Sequence, residues 1–149
     1  MKILGLDIGD KSVGIALTDD LLITAQGRDT LFRTSQKEDI EKLIQIVVEE
    51  HVDIVVAGMP KNMNGTIGPQ GEKTQAFMKA LNKKLTYSKR IPWDIKVDFW
   101  DERLTTKAAR MTLIEGNVRR ENRKKVIDKI AAVYILQGYL DRHRENLKG

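Results

Sequence analysis

The chain has 149 residues, of which 41% are hydrophobic and 32% are charged, and its formal net charge is +5. A chain of this length can bury about two thirds of its unfolded surface, so we expect one domain over residues 1–149. The absence of cysteine excludes disulfide bonds, cysteine-ligated zinc and thiol catalysis. No signal-peptide pattern is present and no apolar run approaches the roughly 18 residues of a membrane span, so we expect a cytoplasmic protein without membrane partners.

The first 32 residues have the pattern of three β-strands. Residues 2–8 predict a buried strand, and residues 9–12 (Gly-Asp-Lys-Ser) predict a tight turn. Apolar residues alternate over residues 13–17, which predicts a second strand antiparallel to the first. A third strand is predicted over residues 22–32.

A helix and a further strand follow. Ser35 is a candidate N-cap, and Glu38 lies three residues later, as in a capping box. Apolar residues recur at helical spacing over residues 36–50, which predicts an amphipathic helix. Residues 53–58 form a short apolar run, which predicts a strand covered on both faces.

The rest of the chain begins with a loop rich in turn residues at 60–71. Pro69 suits the first position of a helix, which we expect to continue to residue 85. A fifth strand is predicted at residues 95–100. Two further helices are predicted, at residues 105–114 and 122–143. The order βββαβαβαα predicts an α/β fold with a mixed five-stranded central sheet and helices on both faces.

Three acids lie at the ends of predicted core elements. Asp7 ends the first strand with Gly9 just after it, and Glu102 follows the fifth strand. Asp128 is the carboxylate in a run, residues 126–140, that is otherwise almost wholly apolar, where a charge is costly to desolvate unless it has a partner. The helical face that Asp128 shares with two alanines, Ala131 and Ala132, could approach the sheet closely.

Each acid also has a purely structural interpretation. Asp7 could form a turn, as Asp often does two residues before Gly. Glu102 could cap a helix or pair with Arg103, and Asp128 could be stabilised by the dipole in the first turn of a helix. If the three instead converge, their mutual repulsion requires a cation. Hard oxygen ligands favour Mg²⁺ or Mn²⁺, which can activate water and hold a scissile phosphate.

The positive charge is concentrated in the C-terminal third. Residues 103–149 carry 12 Lys/Arg against 5 Asp/Glu. Such a cluster is an electrostatic footprint for nucleic acid, although it could also be a solvated loop and helix start. The candidate phosphate contacts are Arg103 and, within the densest part of the cluster, Arg119, Arg120, Arg123, Lys124 and Lys125. Lys61 and Asn62, on the loop after the fourth strand, are further candidates.

Four motifs occur together in order, and they are Gly5-Leu6-Asp7-Ile8-Gly9, Met59-Pro60-Lys61-Asn62-Met63-Asn64-Gly65-Thr66, Asp101-Glu102-Arg103-Leu104-Thr105-Thr106 and Asp128-Lys129-Ile130-Ala131-Ala132. With them the chain resembles the YqgF (RuvX) family of pre-16S rRNA nucleases, also called Holliday junction resolvase-like proteins. The resemblance implies an RNase H-like fold and catalytic acids at Asp7, Glu102 and Asp128, with Mg²⁺ or Mn²⁺ as cofactor. It also implies trimming of the 5′ end of precursor 16S rRNA. Many members have Asp-Gly where this chain has Asn64-Gly65, and both pairs suit a turn.

The expected partner is structured precursor rRNA, with ribosomal particles as a further partner and a monomer or weak homodimer as the assembly. Resolution of four-way DNA by the same acids is the main alternative, and it requires a dimer that positions two sites. A non-catalytic nucleic-acid-binding module is a third interpretation. Asp7 and Gly9 with Lys11 and Ser12 are also similar to the phosphate loop of actin-like ATPases, but those proteins close two related domains over the nucleotide.

Overall fold

The computed structural model describes residues 1–62, 64–101 and 130–143. Five strands and two complete helices lie within these ranges. They are β1 (Ile3–Ile8), β2 (Ser12–Thr18), β3 (Ala25–Phe32), α1 (Gln36–Glu50), β4 (Ile54–Met59), α2 (Pro69–Tyr87) and β5 (Lys96–Asp101). Residues 130–143 are also helical and are called the C-terminal helical segment below. The predicted helix at 105–114 lies outside the described residues, as does the beginning of the one predicted at 122–143.

The strands form one mixed five-stranded sheet, as predicted, and the structure gives their order as β3-β2-β1-β4-β5. β2 is antiparallel to both β1 and β3, whereas β1, β4 and β5 run parallel to one another. The carboxyl ends of β1, β4 and β5 therefore meet at a common edge of the sheet. Ligands of open α/β sheets bind at this edge, so it is where a functional site is expected.

The third strand begins three residues later than the sequence pattern predicts. The carboxylate of Asp19 accepts hydrogen bonds from the backbone amides of Ile23 (2.8 Å) and Thr24 (3.2 Å), and Leu22 adopts a positive φ of 57°. These bonds hold residues 22–24 in a turn, and pairing with β2 starts only at Ala25. The apolar Leu22 and Ile23 resemble strand residues, but the hydrogen bonds from the backbone to the Asp19 side chain favour a turn here over a strand.

Apolar layers cover both faces of the sheet. On one face, α1 and α2 pack against the side chains of β1 and β4 that belong to the first core cluster, among them Leu4, Leu6, Val55 and Ala57. On the other face, the C-terminal helical segment packs against a second cluster that includes Ile3 and Val56. β1 and β4 are therefore covered on both faces, which explains their nearly continuous apolar sequences. Helices on both faces were predicted, and this is confirmed.

α1 and α2 begin at the residues that the sequence predicts. The Ser35 side chain accepts a hydrogen bond from the Glu38 amide (3.2 Å), and Pro69 is the first residue of α2. The Glu38 carboxylate does not complete the capping box, because it accepts instead from the Thr34 hydroxyl (2.6 Å). Among the described residues, no helix is both long and apolar enough to cross a membrane.

Candidate active site

Asp7 lies at the carboxyl end of β1, opposite Gly14 of β2. Leu6 is level with Ala57, and Ala57 with Phe99, across β1, β4 and β5. Asp7 comes one residue after that row, and Asp101 comes two residues after it on β5. The side chain of Asp7 is half-buried, so it is shielded from bulk water on one side and remains accessible to a ligand. β1, β4 and β5 thus bring Asp7 and the end of β5 to the predicted edge.

The C-terminal helical segment approaches the sheet very closely next to Asp7. A methyl group on Gly5 would lie 2.7 Å from the Leu136 Cβ and 3.3 Å from the Ala132 carbonyl oxygen. Gly5 and Asp7 are two residues apart on one strand and so face the same side of the sheet. Ala131 and Ala132 are buried. The prediction that this alanine-bearing helical face packs tightly on the sheet is therefore confirmed.

The helical segment is also anchored to β5. The Tyr139 hydroxyl donates a 2.9 Å hydrogen bond to Asp98, and burial together with this carboxylate raises the pKa of Tyr139 above its usual range. A methyl group on Gly138 would lie 2.8 Å from the Trp100 ring. Contacts with β1 and β5 therefore fix the helical segment across three parallel strands.

The two other predicted acids cannot be placed, because Glu102 and Asp128 lie outside the described residues. Glu102 directly follows Asp101, the last residue of β5, and Asp128 precedes Ile130 by two residues. Within residues 1–62, 64–101 and 130–143, no three His, Asp or Glu side chains group closely enough to hold a metal ion. The three-carboxylate site thus stays a prediction. Its carboxylate oxygens are the donor type that Mg²⁺ and Mn²⁺ prefer.

The turn that follows Asp7 is held by side chains from two distant elements. The Arg33 guanidinium, from the chain just after β3, donates to the Gly9 carbonyl (2.9 Å), and the Gln70 amide, from α2, donates to the Ile8 carbonyl (3.3 Å). The carboxylate of Asp39 on α1 accepts from Arg33 Nε (3.0 Å). Sequence reasoning missed these residues. The available signal was Asp39 itself, which lies four residues before the buried Leu43 and therefore on the buried side of α1.

The loop after β4 holds the predicted phosphate contacts Lys61 and Asn62. Lys61 pairs with Ile67 in an isolated antiparallel bridge and is half-buried. The Asn62 side chain donates to the Thr66 hydroxyl (2.9 Å), so it shapes the loop as well as being exposed. Gly65 has a positive φ of 87°, which confirms a turn at Asn64-Gly65.

The Asn64 side-chain oxygen explains why either Asn or Asp suits its position. It accepts hydrogen bonds from the backbone amide (3.1 Å) and the hydroxyl (2.6 Å) of Thr66, and a carboxylate oxygen could accept both. The remaining predicted contacts, Arg103 and the cluster from Arg119 to Lys125, lie outside the described residues.

Comparisons with solved structures identify the fold. The chain is similar to the Fowlpox virus resolvase in complex with substrate Holliday junction DNA, with a TM-score of 0.57 and 15% identity over 95% of this chain and 98% of that one. It is also similar to the RuvC of T. thermophilus in complex with a Holliday junction substrate, with a TM-score of 0.56 and 10% identity over 97% and 96%. Together with the strand order, these similarities confirm the predicted RNase H-like fold class.

Sequence comparisons give a closer relationship. Curated relatives named "Putative pre-16S rRNA nuclease" include one from Clostridium tetani, 51% identical over 95% of this chain and 96% of the relative. Another, from Clostridioides difficile, is 51% identical over 94% of both. The model of the RuvX family, described as Holliday junction resolvase, matches residues 1–142. With nearly the whole chain matched in each comparison, the chain belongs to the RuvX (YqgF) family, as its motifs predict.

Proposed function

We propose that this protein is a metal-dependent nuclease that hydrolyses phosphodiester bonds at the 5′ end of precursor 16S rRNA during ribosome maturation. Membership in a family of nucleases and resolvases supports hydrolysis of nucleic acid. The names of the relatives that are 51% identical favour precursor rRNA as the substrate. The proposed location is the cytoplasm.

The observation that carries the proposal is the position of Asp7 at the common carboxyl edge of β1, β4 and β5. The chain runs from Asp101 at that edge directly into Glu102. Asp128 precedes Ala132 by four residues, the spacing of about one helical turn, and the Ala132 carbonyl packs against Gly5. These relations support a site in which Asp7, Glu102 and Asp128 act together.

The three carboxylates would bind Mg²⁺ or Mn²⁺. When bound, the metal would polarise the scissile phosphate and make water a better nucleophile. The protein's part is to hold its carboxylates on rigid elements, so that little reorganisation is needed when the substrate arrives. Hydrolysis would leave a 5′-phosphate and a 3′-hydroxyl.

Positive side chains would hold the RNA backbone beside these acids. Lys61 on the loop after β4 is the proposed contact within the described residues, and the others are Arg103, Arg119, Arg120, Arg123, Lys124 and Lys125. Phosphate contacts position a nucleic acid without reading its sequence. Substrate choice would therefore depend on RNA shape or on a ribosomal particle that presents the precursor. A monomer or weak homodimer is sufficient for such cleavage.

Resolution of Holliday junctions is the second candidate. It is favoured by the description of the family and by the fold shared with the Fowlpox virus and T. thermophilus resolvases. A four-way junction has two-fold symmetry, so this activity requires a dimer with two correctly spaced sites.

A side-by-side cleavage assay separates the two candidates. Purified protein with Mn²⁺ is incubated with a precursor 16S rRNA fragment and with a four-way DNA junction, and the Asp7→Asn variant serves as the control for contaminating nucleases. We expect cleavage of the RNA at a defined 5′ position and an intact junction. Paired symmetric cuts in the junction, with the RNA intact, would support the resolvase instead. Cleavage of neither substrate would contradict the proposed nuclease activity.

A further inference from the structure

The turn between β1 and β2, residues 9–11, is held by several hydrogen bonds to its backbone. The Gly9 amide donates to the carbonyl of Ser12, the first residue of β2 (2.9 Å), and the Arg33 amide donates to the Lys11 carbonyl (2.9 Å). The Arg33 guanidinium adds the 2.9 Å bond to the Gly9 carbonyl. Arg33 thus holds both ends of the turn that begins two residues after Asp7, one through its backbone and one through its side chain.

Asp39 keeps the Arg33 side chain in one orientation. The Asp39 side chain is fully buried, and its two oxygens accept from Arg33 Nε (3.0 Å) and from the Thr34 amide (3.1 Å). On its other side, the guanidinium lies 5.0 Å from the centre of the Phe77 ring of α2. A buried carboxylate and an aromatic ring therefore confine the planar guanidinium, whose Nη1 donates to the Gly9 carbonyl.

The two residues that follow Asp7 are consequently held through their backbone carbonyls. Gln70 holds the Ile8 carbonyl and Arg33 holds the Gly9 carbonyl, so consecutive carbonyls are each bound by a side chain from a different element. Backbone hydrogen bonds to β2 hold Asp7 from the other side of the strand. A shift of the turn would be transmitted directly to Asp7, because only Ile8 separates Asp7 from Gly9.

We propose that Arg33, oriented by Asp39, is a positioning residue for the carboxylate of Asp7. Arg33 touches neither the substrate nor the metal in this role. It fixes the end of β1 so that the carboxylate is presented in one place. The catalytic consequence rests on the proposed function, whereas the effect on the backbone does not. A displacement of reacting groups by about 1 Å can lower a rate by about 100-fold, so the role is measurable.

The test compares variants of Arg33 with a matched control. Arg33→Gln removes the charge and breaks the fork. Arg33→Lys keeps the charge near Asp39 but cannot bind the carboxylate and the Gly9 carbonyl with the same geometry. It keeps the test interpretable if Arg33→Gln does not fold. The control is Arg28→Gln. Arg28 lies in β3 and, like Arg33, forms an ion pair with a carboxylate of α1, in this case Glu50 (3.0 Å). In the sheet, Arg28 lies opposite Ile15 of β2, away from the turn.

The first measurement is hydrogen exchange at the amides of residues 7–12, which requires no nuclease activity. We expect the Gly9 amide to exchange at least about 10-fold faster in both Arg33 variants than in the wild type, because local opening governs exchange. Arg28→Gln should leave this amide at its wild-type rate. Unchanged exchange in both Arg33 variants would overturn the positioning role, even if the wild type cleaved neither RNA nor DNA.

The second measurement separates catalysis from binding and from stability, on whichever substrate the wild type cleaves. At a temperature at which all variants are folded, we expect kcat to fall by about 100-fold in Arg33→Gln. The Kd for substrate without metal should stay unchanged, and Arg28→Gln should keep the wild-type kcat. Arg33→Lys should recover only part of the rate. Full activity in Arg33→Lys, or equal kcat values in Arg33→Gln and Arg28→Gln, would show that the ion pair is merely structural.

Discussion

Replacing Asp7 by asparagine is expected to lower the rate of cleavage by at least about 1,000-fold, which corresponds to about 4 kcal/mol of activation free energy. The amide has nearly the same shape as the carboxylate, so the half-buried end of β1 should keep its fold. It lacks the negative charge through which a carboxylate strengthens the binding of a divalent cation. Single-turnover rates on the precursor RNA, together with circular dichroism and thermal unfolding, check both halves of this expectation.

Glu102→Gln and Asp128→Asn should have effects of the same size, because the proposed site needs all three carboxylates. The matched control is Asp10→Asn in the turn after Asp7. Asp10 is exposed and pairs with the exposed Lys73 (3.2 Å), and exposed ion pairs contribute little to stability. This variant should cleave at nearly the wild-type rate. A folded Asp7→Asn protein with wild-type activity would remove Asp7 from the mechanism.

Substitution of Gly5 by alanine is expected to lower the free energy of unfolding by about 1–3 kcal/mol, the usual cost of overpacking a core. The added methyl group would lie 2.7 Å from the Leu136 Cβ, closer than any two carbon atoms can pack without movement. The sign of the change is diagnostic, because alanine normally stabilises a strand by about 0.5–1 kcal/mol relative to glycine. Urea denaturation of the purified variant measures it.

The same substitution should impair cleavage, because relief of the clash moves the C-terminal helical segment away from β1. Gly68→Ala serves as the control. Gly68 has an extended conformation before α2, and its added methyl group would lie no closer than 3.4 Å to Asn62. The control should change stability by less than about 1 kcal/mol. A Gly5→Ala protein as stable and active as the wild type would show that the close contact does not constrain the helix.

The architecture could be predicted from sequence because its elements obey local rules. The parallel strands β1 and β4 are buried on both faces and have short apolar sequences, and α1 has helical periodicity with Ser35 as its cap. Local interactions also explain why the predicted strand at residues 22–24 is wrong. Two apolar side chains resemble a strand, but a carboxylate three residues earlier binds the backbone instead.

The location of Asp7 could also be predicted, since an acid followed by glycine after an apolar strand suggests the carboxyl edge of a sheet. The hydrogen bonds that hold the turn after Asp7 could not be predicted. Arg33 and Gly9 are 24 residues apart, and Gln70 and Ile8 are 62 apart. No local pattern specifies which carbonyl such a donor reaches. These contacts follow from the packing of α1 and α2 on the sheet, which exists only in the folded chain.

The proposed mechanism requires Asp7, Glu102 and Asp128 to share a divalent cation at the carboxyl edge of the sheet. The most direct measurement is anomalous X-ray scattering from crystals of the full chain soaked in manganese. We expect a manganese peak at coordination distance, about 2–2.5 Å, from carboxylate oxygens of all three residues. Well-ordered carboxylates that point into separate regions, with manganese bound elsewhere, would contradict it.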